Sequence, residues 1–230
     1  MKKLPGLRPA VAMLELIFAI AVMGIALLAV PNILTTSAKS GFVGLQQESI
    51  SQASAHIGSV MTYHWDEADA NESFIDPVLR VSNGDSELDN SGNGYRTGTP
   101  VESYRRFIRA DGAILDASST LGSESGDRDD VDDFNGETTT LRLVEAATND
   151  YIDSNITIAT SVTYNDDSSS YDSANTISFT PFTAKSATTN IKEIKITLTT
   201  NSSVEELNKT IVLRAFSCNI GGFVLEKRIF

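Results

Sequence analysis

A single cysteine, Cys218, in 230 residues excludes an intramolecular disulfide and every paired-cysteine metal or redox motif. It ends the mostly apolar run Ala215-Phe216-Ser217-Cys218, which predicts a small buried hydrophobe, with an intermolecular bridge as the alternative. Histidine is almost as scarce. His56 and His64 lie eight apart and could share a helix face, but no further ligands accompany them at metal-binding spacing, so both are expected at the edge of a core or in solvent. Positive charge is short as well: 18 Lys and Arg stand against 30 Asp and Glu, for a net charge of −12. That excess disfavours sequence-independent nucleic-acid binding, which needs an extended basic surface. Also missing are a Gly-x-Ser-x-Gly elbow, a phosphate-cradling glycine loop and an His-Glu-x-x-His pair. Carboxylates abound, but in loops that read as solvated they gain no raised pKa, so no enzyme is expected. The apolar fraction of 41% is nevertheless enough for a packed core.

What is present begins at the N-terminus. Residues 1–10, MKKLPGLRPA, hold Lys2, Lys3 and Arg8 and no acid. Residues 11–34, VAMLELIFAIAVMGIALLAVPNIL, follow with Glu15 as their one charge. About 20 helical residues span the hydrocarbon of a bilayer, so this run is long enough to cross one. The preceding positive charges place its N-terminal end in the cytoplasm. A secretory signal has an apolar stretch of about 7–15 residues closed by a small-residue cleavage site, and this run is longer and lacks such a site. A plain anchor explains everything except Glu15. An acid at the centre of a lone spanning helix costs roughly 2.5–3.5 kcal/mol, which makes it a functional residue by default.

The basic leader, the small residue Ala10, the run Val11-Ala12-Met13-Leu14-Glu15-Leu16-Ile17 and Gly24 together resemble the processing signal of type IV pilins and type II secretion pseudopilins. The resemblance covers about 35 residues. It implies that a prepilin peptidase cuts between Ala10 and Val11, that Val11 is then N-methylated, and that Glu15 becomes the fifth residue of the mature chain. Gly24 falls where the family commonly has glycine, and Pro31 one residue short of its usual helix-kinking proline. Ala10 stands where that family usually has Gly, and Val11 where it usually has Phe or Met. Pairing of Glu15 with the Val11 amine of a neighbouring copy would match two charges in low dielectric and set the register between helices. Leu14, Leu16, Ile17, Phe18, Ile20, Val22, Met23, Ile25, Leu27 and Leu28 would form the apolar core of the filament.

Beyond Pro31, apolar residues recur at helical spacing (Val43, Ile50, Ala53, Ile57, Val60, Met61), which predicts an amphipathic continuation over 35–65 ended by Trp65. Pro31, Gly41 and Gly44 are places for it to bend or melt. Residues 66–137 hold 18 acids, six arginines and no lysine and are rich in turn residues, predicting an acidic insertion. Two of its stretches could take calcium through loop oxygens. In the stretch over residues 83–94, Asp89, Ser91, Asn93 and Gly94 open like an EF-hand loop but position twelve is Pro100. In the other, Asp127, Asp129, Asp130, Asp132 and Asp133 crowd seven residues and repel one another unless a cation intervenes. Solvated loops are the plain alternative for both, and Tyr104-Arg105-Arg106-Phe107-Ile108-Arg109 could pair with their acids.

From 138 to 230 the chain alternates as strands: Thr139–Val144, then Ile156, Ile158, Val162 and Tyr164, then Ile177 and Phe179, then Ile194, Ile196 and Leu198, then Ile211–Phe216 and Phe223–Ile229. The expected fold class is α+β and pilin-like, with a long N-terminal helix packed on an antiparallel sheet. The expected role is a structural subunit, of the minor kind, in a type II secretion pseudopilus or type IV pilus. Its partners would be other pilin or pseudopilin subunits, prepilin peptidase, the inner-membrane assembly platform and the membrane itself, with no nucleic acid. The N-terminus would lie in the cytoplasm and the head in the periplasm, anchored by one pass of the bacterial inner membrane. A membrane-anchored adhesin or ligand-binding module on the same anchor is the alternative.

Overall fold

The structure is a computed structural model that describes residues 8–70, 77–86, 88, 112–123, 126–142, 155–167, 182–201 and 208–222. The strands expected at 177–179 and 223–229, the EF-hand-like segment 89–100 and the arginine-rich segment 104–109 lie outside the described residues. The chain divides into two compact units, Met1–Glu48 and Ser49–Phe230.

Helix α1 runs from Arg8 to Val60 with Pro31 inside it. Pro31 removes one backbone donor, yet the helix is assigned without a break through Pro31, Gly41 and Gly44. One turn on, the Thr35 and Thr36 hydroxyls donate to the Asn32 carbonyl at 3.0 and 2.8 Å. The helix ends at Val60 rather than near 65. Thr62 N–H donates to Ser59 O and Tyr63 N–H to Val60 O, tightening the last turn so that its carbonyls are satisfied. Trp65 is therefore free of the helix and lies buried in the second unit.

In the second unit four strands, β1 (Thr138–Arg142), β2 (Asn155–Asn165), β3 (Ile191–Asn201) and β4 (Thr210–Cys218), form an antiparallel sheet in the order β1-β2-β3-β4. The period-two alternation of β2 buries Ile156, Ile158, Thr160, Val162 and Tyr164. Register sets Val162 against Ile194 and Ile158 against Leu198, so one face is largely apolar. Against it pack Val60, Val131 and Phe134, with Ile57 of α1 alongside. A second cluster joins Trp65, Leu79, Val81 and Tyr164. Residues of the acidic segment thus belong to the core of this unit. Cys218 is half-buried at the end of β4, not buried as its apolar surroundings suggest.

Candidate functional site

The first candidate is the N-terminal stretch of α1. Ala10 and Val11 lie in the first turn of α1, so the expected scissile bond is helical here. From Val11 to Leu34 the large apolar side chains are 52% to 76% exposed on every side of the helix. A helix apolar all round belongs in a large core or a membrane. This one is long and apolar enough to cross a membrane. Glu15 is exposed within it, one turn from Val11 and on the same face. A Cβ added at Gly24 would meet nothing within 4 Å, so nothing among the described residues calls for glycine there.

The second candidate is the acidic turn of the head, and here the structure departs from the solvated loops expected. Asp66, Asp69, Asp130, Asp132 and Asp133 are buried. The sequence reading missed their counter-charge, Lys192, which is itself fully buried. Its ammonium uses all three donors: to the Trp65 carbonyl at 2.8 Å, to Asp66 Oδ2 at 2.9 Å, and to Asp132 Oδ1. It also lies 4.5 Å from the centroid of the Trp65 ring and 5.2 Å from that of Tyr164. Lys192 sits in phase with Ile194, Ile196 and Leu198 on the inward face of β3, and that phase is the signal that could have revealed it.

Asp66 is held from several directions. Ala68 N–H donates to Oδ1, Ser118 N–H reaches both oxygens at 3.0 and 3.1 Å, and the Tyr164 hydroxyl lies 3.0 Å from Oδ2. Burial, with the Asp66 charge beside it, pushes the Tyr164 hydroxyl far above the ordinary tyrosine range. Asp130 Oδ1 accepts from the backbone N–H groups of Asp132 and Asp133 at 2.7 and 3.0 Å, at the start of the 3₁₀ turn Asp132–Phe134. Burial first, and the charge of Asp132 second, push the Asp130 carboxyl up to about 7. These acids therefore do not share one environment.

Of the five aspartates expected as a calcium set, the structure brings Asp127, Asp129 and Asp133 together, with one carboxylate oxygen of each within 4.8 Å of the others. Asp132 is drawn away to Lys192 and one oxygen of Asp130 is committed to backbone. Those two form part of the core because the turn carrying them packs Val131 and Phe134 beneath α1. Arg128 does not serve the trio: it donates to Glu137 at 2.8 Å and lies over the Phe134 ring. His56 lies 3.2 Å from Thr160 Oγ1, and His64 pairs through its backbone with residues 129–131.

No family profile, curated protein or solved structure matches the chain. The α+β layout, a long N-terminal helix with a four-stranded antiparallel sheet, therefore rests on the coordinates and the sequence alone.

Proposed function

We propose that the chain is a membrane-anchored subunit of a type IV pilus or type II secretion pseudopilus, of the minor kind, processed between Ala10 and Val11 and assembled through α1. The observation that carries this reading is the all-round apolar surface from Val11 to Leu34 interrupted by the lone acid Glu15. Such a surface needs hydrocarbon around it in the membrane and other apolar helices around it in a filament. Gly24, which no contact among the described residues requires, leaves room for the close approach of a neighbouring helix. Removal of residues 1–10 would create an ammonium at Val11. In low dielectric that ammonium and Glu15 of an adjoining copy attract strongly when paired and destabilise the assembly when left unpaired. Prepilin peptidase and an inner-membrane platform are the partners this reading calls for, with the head on the periplasmic side.

The test is Glu15→Ala, followed by separating membrane-inserted from filament-incorporated protein in cells that carry the assembly machinery. Insertion at the wild-type level with at least about tenfold less incorporation is expected, since 1.4 kcal/mol of lost pairing already corresponds to tenfold. Normal incorporation would remove the pairing role.

A further inference from the structure

We infer that Asp127, Asp129 and Asp133 form a calcium-type cation site on the head, an assignment that stands apart from the function of the N-terminal helix. A group of acids alone would not carry this, because solvated carboxylates commonly gather on loops. Two buried oxygens do. Asp133 is 9% exposed; its Oδ2 accepts from the N–H groups of Asp129 and Asp130 at 2.9 and 3.2 Å, while its Oδ1 is buried with no hydrogen-bond partner. Asp129 Oδ1 is likewise buried, and among the described residues neither of these Oδ1 oxygens has a hydrogen-bond partner. A buried carboxylate oxygen without a donor is costly, and each such atom calls for an occupant.

The spacing fits one ion. Calcium binds oxygen at about 2.3–2.6 Å, so two oxygens on one ion lie at most about 4.6–5.2 Å apart, twice that distance. The three ligand oxygens here fall within 4.8 Å. Among the described residues, Arg128 is committed to Glu137, and Lys192 to Asp66 and Asp132. Asp127 is exposed and Asp133 buried, so the trio runs from solvent to core and leaves a wet side for the water ligands that calcium accepts. Calcium is favoured over magnesium because three carboxylates from one irregular loop suit a flexible oxygen shell better than a strict octahedron. The ion would clamp residues 127–129 onto the 3₁₀ turn Asp132–Phe134. Asp132 of that turn holds Lys192, and Phe134 packs with Val60.

The experiment is calorimetric titration of calcium chloride into the full chain in detergent micelles after treatment with a chelator. One ion per chain is expected, with affinity in the range of about 10⁻⁴–10⁻³ M typical of extracellular calcium modules. Asp127→Asn and Asp129→Asn should each weaken binding by about tenfold or more, because fewer ligand charges lower affinity. Both substitutions keep the size of the side chain and remove only a charge, so far-UV circular dichroism should not change. Asp116→Asn, in a different loop and paired with Arg80, should bind as the parent does. The assignment is overturned if no heat is seen at millimolar calcium, if both variants bind like the parent, or if magnesium binds equally well.

Discussion

Lys192 illustrates how one side chain organises several distant segments. Its three donors reach Trp65, Asp66 and Asp132, which are 127, 126 and 60 residues away in the chain. Replacing it by methionine keeps much of the apolar stem but leaves two buried carboxylates without their cation. Breaking a buried pair from one side costs about 3–5 kcal/mol, so Lys192→Met should lower the unfolding midpoint reported by Trp65 fluorescence. Adding Asp132→Asn should restore part of that loss, because it removes one of the stranded charges. An unchanged midpoint in the single variant would show that the ammonium is not what holds these segments together. The lysine was legible only through its phase with Ile194, Ile196 and Leu198. Which acids it would meet was not legible, because a counter-charge from another segment leaves no local pattern. For the same reason Asp130, Asp132 and Asp133 read as solvated: acidity is a property of sequence, whereas burial follows from Val131 and Phe134 packing beneath Val60.

Among the elements, those governed by local periodicity were readable and those governed by termination were not. β2 and β3 follow alternations at Ile156–Tyr164 and Ile194–Leu198 because one buried face imposes period two, while β4, expected over Ile211–Phe216, alternates half-buried and exposed residues. The apolar run of α1 was equally plain. Its end was not, since no glycine follows Val60, no basic residue lies in the last turn, and its carbonyls are closed instead by backbone donors from Thr62 and Tyr63. The two kinds of apolar residue should respond differently to truncation. Ile194→Ala opens a cavity beside Val60, Val162 and Phe134 and should cost the head about 2–5 kcal/mol in chemical unfolding. Leu28→Ala, at 76% exposure, should leave head unfolding unchanged within about 0.5 kcal/mol. Equal losses from the two would mean that the N-terminal stretch is packed into the head.

At the scale of the whole molecule the division at Glu48 and Ser49 separates two units of different surface character. The first unit exposes apolar side chains from Val11 to Leu34, while the second holds two buried apolar clusters against its sheet and carries a dense acidic turn. A chain with that contrast satisfies its first unit only in a membrane or among like helices, and the proposed filament role follows from this need rather than from any catalytic group. Processing at Ala10 is what would convert the anchored form into the assembling one, by placing an ammonium on the face of α1 that bears Glu15. The most direct measurement is the intact mass and N-terminal fragment spectrum of the protein isolated from the envelope of cells that make it. The account predicts a chain beginning at Val11 with a methylated amino group and lacking residues 1–10; a chain that retains Met1 through Ala10 would contradict it.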